Sequence, residues 1–286
     1  MAKSLAWGAR TYVMGVLNLT PDSFSGDGLL STPDPIRASK QQARQFVEDG
    51  ADILDLGAES SRPGAETISV EEELGRLLPI LDALREEHKD VILSVDTNKP
   101  EVAEEVLQHG ADWINDIWGL KRNPLLAQEA AKYHATMILM HNRQEFGKVE
   151  KSDQLGGRYV DTHYQDVVEE VKAELLESIQ LALKAGIPQE HIILDPGIGF
   201  GKNVGQNLEL IRRLDEIKTL GYPLLIGPSR KSFIGYTLNL PPDQRLEGTA
   251  SAIAISISRG VDIVRVHDVK EMVRVARMAD AIVRAK

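Results

Sequence analysis

The amino-acid sequence predicts an α/β fold, a TIM (β/α)8 barrel that forms a single domain over residues 1–286. Eight short apolar segments alternate with helical patterns, which is the order of a parallel sheet built from βα units. Three of them follow similar turns at residues 50–53, 110–113 and 260–263. The glycine that opens each turn suits the left-handed end of a helix, before a buried strand. An open doubly wound sheet is the alternative, but its G-x-G-x-x-G signature is missing from the first βα turn.

The individual elements follow from hydrophobic periodicity and from capping residues. Ser69 opens a capping-box sequence before apolar residues at helical spacing, and Pro100 suits the first turn of a helix. A long helix is expected at 161–185, ended by Gly186, and the last helix at 269–284. The strands are expected at 12–19, 51–57, 91–97, 111–117, 136–141, 192–196, 224–227 and 261–267. Long connections, which in barrels gather at the catalytic C-terminal mouth, are expected at 20–34, 59–69 and 142–160.

The composition indicates a cytoplasmic globular protein and excludes several classes of function. Cysteine is absent, so disulfides, thiolate zinc sites and cysteine nucleophiles are excluded, and a reducing compartment is expected. The net charge of −10 argues against a nucleic-acid partner, which requires a basic face. It still allows a small anionic substrate, because a few cations in a cleft can hold a phosphate. The apolar runs are far shorter than the roughly 20 residues of a membrane helix, so no membrane partner is expected.

Polar residues recur near the C-terminal ends of the predicted strands, where a barrel places its active site. In the last strand Arg265 and His267 alternate with Val264 and Val266, so the cation and the imidazole share one face, predicted to point inward. Two strand ends carry a second polar residue, at 97 and 116, and either member of each pair can be the inward one. The full set is Asn18, Asp55, Asp96, Asn115, Asp116, His141, Asp195, Arg265 and His267.

Two further segments favour an anionic ligand at this mouth. Residues 229–231 (Ser-Arg-Lys) follow the seventh strand, and barrel phosphate sites commonly form after strands seven and eight. Arg and Lys bind phosphate by charge-assisted hydrogen bonds. Residues 195–202 (DPGIGFGK) form a glycine-rich turn with a carboxylate at its entry, which allows close approach of the backbone to a ligand.

Eight segments, in order and over nearly the whole chain, resemble the dihydropteroate synthase family. They are MGVLNLTPDSFSGDG at 14–28, DLGAESSRPGA at 55–65, SVDT at 94–97, INDI at 114–117, LMH at 139–141, LDPGIGFGK at 194–202, SRKSFIG at 229–235 and RVHDV at 265–269. The resemblance implies a transferase that joins a dihydropterin pyrophosphate to p-aminobenzoate with the help of Mg²⁺. It also implies a homodimer joined through barrel helices.

The resemblance also implies a role for each matching residue. Asn18 would contact Mg²⁺ and the pyrophosphate, and the pterin would lie against Asp96, Asn115, Asp195 and Lys231. The pyrophosphate would be surrounded by Ser61, Arg62, Arg265 and His267. The p-aminobenzoate would be enclosed by Ser61, Arg62, Pro63, Lys231 and Ser232, and the walls completed by Asp55, Met140 and Phe200. Of these, Arg62, Lys231, Arg265 and His267 are the expected catalytic residues.

These residue types suit that chemistry. Carboxylates and an amide accept hydrogen bonds from a pterin edge, and cations with Mg²⁺ stabilise the charge of a departing pyrophosphate. The chain departs from the family pattern at Ser61, where threonine is usual, and at Gly26-Asp27, where the order is usually reversed. Both departures can alter affinity for p-aminobenzoate or sulfonamides. The connection 142–160 follows no recognisable pattern.

Three other functions compete with this interpretation. A methyltransferase of the pterin-binding group would share Asp96, Asn115 and Asp195 but would not need the cations Arg62, Lys231, Arg265 and His267. A non-catalytic paralogue would bind pterin without turnover, and such proteins tend to lose pocket residues. A phosphosugar barrel enzyme has little support from the set of acceptors.

Overall fold

The computed structural model describes residues 5–20, 28–60 and 67–284, with a closed barrel of eight parallel strands at its centre. The barrel strands are β1 Tyr12–Asn18, β2 Ile53–Gly57, β3 Ile92–Asp96, β4 Trp113–Asp116, β5 Thr136–Met140, β8 Ile192–Asp195, β9 Leu225–Ile226 and β10 Ile263–Val266, while β6 and β7 form a separate hairpin. The strand order in the barrel is β8-β5-β4-β3-β2-β1-β10-β9, and a parallel bridge between Leu194 and Leu224 joins the two ends. Each barrel strand lies within a predicted strand, so the barrel prediction is confirmed and the open sheet is excluded.

Helices surround the barrel and connect its strands. They are α1 Pro35–Asp49, α2 Val70–Glu87, α3 Pro100–Gln108, α4 Leu126–Lys132, α5 Val167–Lys184, α6 Val204–Arg212, α7 Leu214–Lys218, α8 Ser232–Leu238, α9 Leu246–Ser258 and α10 Val269–Val283. The Ser69 hydroxyl accepts a hydrogen bond from the backbone N–H of Glu72, and Pro100 lies in the first turn of α3. Gly50, Gly110 and Gly260 have φ of 103°, 90° and 91°, as the repeated turns predict. In the described residues no helix is long and apolar enough to cross a membrane.

The predicted start of α5 at residue 161 is wrong, because the helix begins at Val167. The Asp166 carboxylate accepts hydrogen bonds from the backbone N–H groups of Val168 and Glu169 and so caps the helix there. Asp161 has a φ of 54°, which a right-handed helix does not accommodate. The six residues 161–166 therefore belong to the connection.

Alternate side chains of each strand face either the barrel interior or the helices. Met14, Ile53 and Ile263 pack inside the barrel, whereas Val13, Leu54 and Val264 pack against the helices, and all six are at most 2% exposed. The interior is therefore filled by apolar side chains up to the level at which polar residues begin. Asp55, Asp96 and Arg265 lie two or four residues further along their strands, on the same inward face.

The connection 142–160 contains an antiparallel hairpin that its sequence did not predict. The hairpin consists of β6 Lys148–Ser152 and β7 Gly156–Val160, with Lys148 opposite Val160 and Ser152 opposite Gly156. Tyr159 is 4% exposed and packs on Gly147, where a Cβ atom would lie 2.6 Å from the Tyr159 ring. The sequence KVEKS is polar on both faces, so its hydrophobic pattern carries little signal for a strand.

Candidate active site

A cavity of about 450 Å³ opens at the C-terminal ends of the barrel strands. It is bounded by residues from seven strand ends, by the hairpin β6–β7 and by the segment from β9 into α8. These elements are far apart in the sequence, so the cavity exists only because the barrel closes. Its lining includes the sequence-predicted residues Asn18, Asp96, Asn115, Met140, Asp195, Phe200, Lys231, Ser232, Arg265 and His267.

A second cavity, of about 620 Å³, lies on the other side of the glycine-rich turn near Gly201. Its charged lining residues are paired with one another: Lys121 contacts Glu174 at 3.0 Å and Arg122 contacts Glu145 at 3.2 Å. Pairing of this kind satisfies the charges within the protein. The cavity at the strand ends is therefore the better candidate for substrate binding.

Three hydrogen-bonding side chains of the cavity come from three different strands. Asp96 ends β3, Asn115 lies in β4 and Asp195 ends β8. The Asn115 Nδ2 donates to Asp55 Oδ2 at 3.2 Å, and Asp195 Oδ1 accepts from the backbone N–H of Gly197 at 2.7 Å. Asn115 and Asp195 are thus oriented by fixed partners before any ligand arrives.

The structure settles which member of each polar pair faces inward. Asp116 turns away from the cavity and accepts hydrogen bonds from the backbone N–H groups of Trp118 and Leu120, at 2.8 and 2.6 Å. The Thr97 hydroxyl accepts a hydrogen bond from the Lys99 N–H at 3.3 Å. Asp116 and Thr97 are therefore turn residues, and the cavity receives Asn115 and Asp96.

Arg265 crosses the cavity floor and links two carboxylates. Its Nε donates to Asp55 Oδ2 at 2.7 Å, and its Nη2 lies 3.5 Å from Asp96 Oδ2. Asp55 was predicted to complete the pocket wall, but it is fully buried and lies one layer below the lining. Its effect on the cavity passes through Arg265 and Asn115, which both bind its Oδ2 oxygen. The inward face predicted for Arg265 agrees with this geometry.

Burial shifts the ionisation of the cavity residues toward neutral forms. It raises the pKa of Asp96 to about 8, although Arg265 opposes this shift, and it also raises the pKa of Asp195. Burial lowers the pKa of Lys231 to about 8 against the attraction of Asp195. Burial also disfavours the charge on Arg265, but Asp55 and Asp96 raise its pKa above the ordinary value. Asp96 and Lys231 are therefore set to change charge near the same pH.

Lys231 lies between the glycine-rich turn and the cavity. Its Nζ donates to the carbonyl of Ile198 and lies 4.5 Å from the centroid of the Phe200 ring. Gly199 has a φ of 84°, and a Cβ atom there would lie 3.0 Å from the Lys231 side chain. Only glycine leaves room for the lysine along this turn without strain. Lys231 is thus held at one end while its remaining donors are available to a ligand.

The predicted cation segment 229–231 does not act as one cluster. Arg230 lies outside the cavity lining and its Nε donates to Asp268 at 2.9 Å, whereas Ser229 and Lys231 line the cavity. The Ser229 hydroxyl lies 3.0 Å from His267 Nδ1 and accepts from the His267 backbone N–H at 3.2 Å. The cations that surround the cavity are therefore Lys231 and Arg265, beside the imidazole of His267.

Asn18 ends β1 and lines the cavity with its amide. Among the described residues no group of three or more His, Cys, Asp or Glu side chains forms a metal site. A single oxygen donor still fits Mg²⁺, which usually keeps several waters and binds through one or two protein oxygens together with substrate phosphates. Asn18 is therefore suited to a metal that arrives with a phosphate ligand.

Three sequence-predicted residues, Ser61, Arg62 and Pro63, lie outside the described residues, as does the Gly26-Asp27 pair. Their roles remain predictions. The nearest described lining residues on that side are Glu59 and Ser60.

Sequence reasoning missed a buried network beneath the glycine-rich turn. Lys202 is 2% exposed, and its Nζ lies 2.8 Å from His141 Nδ1 and 3.0 Å from each of the carbonyls of Gly197 and Phe200. His141 Nε2 in turn lies 3.3 Å from Glu174. His141 lies outside the cavity lining, although it directly follows the end of β5. A charged residue at the end of an otherwise glycine-rich and apolar turn was the available signal.

Sequence and structure comparisons identify the relatives of this chain. Residues 14–267 match the family described as pterin binding enzyme. The chain is 46% identical over 284 residues to the dihydropteroate synthase of Clostridium beijerinckii, an alignment that covers 99% of this chain and 98% of that protein.

Two solved structures share the fold closely. A dihydropteroate synthase from Clostridium difficile, determined in the presence of pteroic acid, is 45% identical with a TM-score of 0.87 and covers 98% of this chain and 100% of its own. A Xanthomonas albilineans dihydropteroate synthase with 4-aminobenzoic acid is 37% identical with a TM-score of 0.85, over 97% and 94% of the two chains. At these identities the likeness extends beyond the barrel to the family.

Proposed function

Because this chain belongs to the dihydropteroate synthases of the pterin-binding enzyme family, we propose that it condenses 6-hydroxymethyl-7,8-dihydropterin pyrophosphate with p-aminobenzoate. The chain is a transferase of that family, and the proposal concerns its substrates, metal and course of reaction. The products would be 7,8-dihydropteroate and pyrophosphate. One observation carries the proposal: Asp96, Asn115 and Asp195 converge with Lys231 on one cavity.

The pterin would bind against the cavity floor. Its ring edge offers several N–H donors, which carboxylate and amide oxygens of Asp96, Asn115 and Asp195 can accept. Since the pKa of Asp96 in the free site is about 8, pterin binding at neutral pH would be coupled to loss of its proton. Lys231 can donate to a ring nitrogen or carbonyl from the opposite side.

The pyrophosphate would leave toward the cations of the cavity. Arg265 is held in place by Asp55, so its guanidinium needs no reorganisation to meet the developing negative charge. His267, and Arg62 by family resemblance, would add hydrogen bonds. Asn18 would hold Mg²⁺ through its amide oxygen, and the bound metal would neutralise part of the charge on the leaving group.

The proposed course is dissociative, like an SN1 reaction. The methylene C–O bond would break first, and the pterin ring would delocalise the positive charge while ionised Asp96 and Asp195 stabilise it. The amine nitrogen of p-aminobenzoate would then form the new C–N bond and lose a proton. The cavity offers no Cys nucleophile, so positioning and electrostatics would account for most of the rate.

A methyltransferase acting on a reduced folate is less well supported. Such an enzyme needs no pyrophosphate site, whereas Lys231, Arg265 and His267 all line this cavity.

A homodimer is also proposed, since Ile255, Met278 and Ile282 on helices α9 and α10 are 48%, 64% and 68% exposed. Sedimentation of the protein at micromolar concentration would test the dimer. The cytoplasm is the expected compartment.

The direct test is turnover with dihydropterin pyrophosphate, p-aminobenzoate and Mg²⁺, following dihydropteroate and pyrophosphate together. We expect both products to appear at equal rates. Pterin binding without turnover would support the non-catalytic paralogue instead, and methyl transfer to a cobalamin acceptor would support the methyltransferase.

A further inference from the structure

The hairpin β6–β7 is a wall of the cavity, although its sequence matches no recognised motif. Val149, Ser152, Gly156 and Tyr159 are among the residues that line the cavity from both hairpin strands. The floor, by contrast, is built from the strand ends that carry Asp96, Asn115 and Asp195. The hairpin therefore borders the space that a substrate joining a floor-bound pterin would enter.

One fully buried arginine connects the hairpin to the segment before Lys231. Arg245 is 0% exposed, and its Nη2 donates to the carbonyl of Leu155, in the turn of the hairpin, at 3.0 Å. Its Nη1 donates to the carbonyl of Arg230 at 2.9 Å, and its Nε to the carbonyl of Leu240 at 3.0 Å. A single guanidinium thus fixes three backbone segments relative to one another.

The Arg230 backbone needs such a support. Its φ of 55° is uncommon for a residue other than glycine, and it directs the chain into Lys231 and Ser232. The Arg230 N–H donates to the Thr249 hydroxyl at 3.1 Å, and its carbonyl accepts from Arg245. Both partners belong to the beginning of α9, so this helix holds the turn from both its donor and its acceptor side.

The space for the guanidinium is provided by a glycine. A Cβ atom at Gly235 would lie 2.1 Å from Arg245 Nη2 and 2.4 Å from its Cζ. Gly235 lies in the middle of α8, where its φ requires no glycine, so the absent side chain is explained by the arginine it makes room for. A second link runs nearby, since the Tyr236 hydroxyl donates to the carbonyl of Gly156 at 3.1 Å.

We propose that Arg245 is a positioning residue that sets the p-aminobenzoate side of the cavity by binding the hairpin turn and the backbone before Lys231 at the same time. The proposal rests on the proposed function for the identity of the second substrate. On this proposal the hairpin β6–β7 is a fixed wall of the cavity and not a loosely attached loop. Asp96, Asn115 and Asp195 bind the pterin from the barrel strands, whereas the hydrogen bonds of Arg245 described above go to Leu155, Arg230 and Leu240. Loss of Arg245 should therefore affect the second substrate more than the pterin, which it reaches only through Lys231.

The test compares Arg245→Met with Lys148→Met, a substitution on the exposed surface of the hairpin, where Lys148 lies outside the cavity lining. Loss of the three hydrogen bonds should raise the KM for p-aminobenzoate about tenfold or more and raise the KM for the pterin substrate by a clearly smaller factor. Lys148→Met should change either KM by less than about twofold. Arg245→Lys, which can still reach a carbonyl, should recover part of the loss.

Hydrogen exchange provides a second readout that does not depend on activity. The hairpin amides of Arg245→Met should exchange at least about tenfold faster than those of the wild type, while the barrel strands stay protected. If Arg245→Met does not fold, Tyr236→Phe and a chain with residues 149–159 replaced by a short glycine linker answer the same question, since both keep Arg245. Each should raise the p-aminobenzoate KM selectively.

The outcomes separate the two proposals. Wild-type protein without turnover would refute the proposed function, and the hairpin exchange would still decide the role of Arg245. Equal changes in both KM values, or a lower kcat alone with unchanged hairpin exchange, would show that Arg245 only stabilises the fold and would overturn the inference.

Discussion

Two lysines, the buried Lys202 and the half-buried Lys231, bind carbonyls of the same glycine-rich turn, and they differ in how many donors the described protein uses. Lys202 contacts three acceptors, the carbonyls of Gly197 and Phe200 and the Nδ1 of His141. Lys231 contacts one carbonyl of the turn, that of Ile198, and lies against the Phe200 ring. An ammonium has three protons, so Lys202 is saturated, whereas within residues 5–20, 28–60 and 67–284 Lys231 uses one donor and keeps the others for a ligand.

The difference shows how one residue type serves structure at one place and binding at another. Burial lowers the pKa of both lysines, that of Lys231 to about 8 and that of Lys202 well below the ordinary value. Lys202 does not line the cavity, whereas Lys231 does. Burial and a shifted pKa therefore do not by themselves identify a functional lysine. A better criterion is a position in the lining of a cavity, with donors that the described protein does not use.

The largest expected effect is the loss of activity in Lys231→Ala. Removing a cation that contacts the substrates should lower kcat/KM by about 100-fold or more, by analogy with the removal of a single transition-state donor. The free energy of unfolding should change little, because the variant also loses the cost of burying a charge. Steady-state kinetics and thermal unfolding would measure both, with Lys184→Ala, at an exposed position outside the cavity lining, as control. Near-normal kcat/KM would remove Lys231 from the site, and the same holds for Arg265→Ala.

Lys202→Met should lower the free energy of unfolding strongly and the activity less than Lys231→Ala does. Two carbonyls lose a buried donor, so the free energy of unfolding should fall by about 2–5 kcal/mol, as measured by denaturant titration. The folded protein should retain more activity than Lys231→Ala, since Asp195 and Phe200 would be displaced but still present. A stable Lys202→Met with activity as low as that of Lys231→Ala would break the comparison.

The pH dependence of kcat/KM should peak near pH 8. Below that pH Asp96 gains a proton, so one of its oxygens becomes a donor and the carboxyl accepts fewer hydrogen bonds from the pterin. Above that pH Lys231 loses its charge, since its pKa is also about 8. Activity should fall by up to about tenfold per pH unit on each limb. An arginine stays charged, so Lys231→Arg should lose the alkaline limb and keep the acid limb. A profile of Lys231→Arg identical in shape to the wild type would assign the alkaline limb to another group.

The smallest effect is expected for Phe200→Leu. The ring lies 4.5 Å from Lys231 Nζ, and a cation–π contact between two partly exposed groups contributes about 0.5–1 kcal/mol. The KM for p-aminobenzoate should therefore rise about twofold to fivefold, with the melting temperature within about 3 °C of the wild type, because Lys202 holds the turn through backbone carbonyls. A large fall in melting temperature would show that the ring, rather than Lys202, stabilises the turn.

The sequence by itself determined the barrel and the polar residues at its strand ends, which include the carboxylates and the amide of the cavity. The period of two along the strands places Arg265 on the inward face, and the glycine of each repeated turn ends a helix before a buried strand, because both properties depend on neighbours in the chain. The same local reasoning placed Asn18, Asp96, Asn115 and Asp195 at strand ends.

Only the tertiary structure decided which polar residues reach the cavity and what holds them. Asp55 supports Arg265 from below, Arg230 pairs with Asp268 instead of facing a substrate, and Lys202 is saturated by a turn and a histidine. Arg245 meets the hairpin across 90 positions of sequence. These contacts depend on barrel closure and on three-dimensional packing, which hydrophobic periodicity along one chain does not encode.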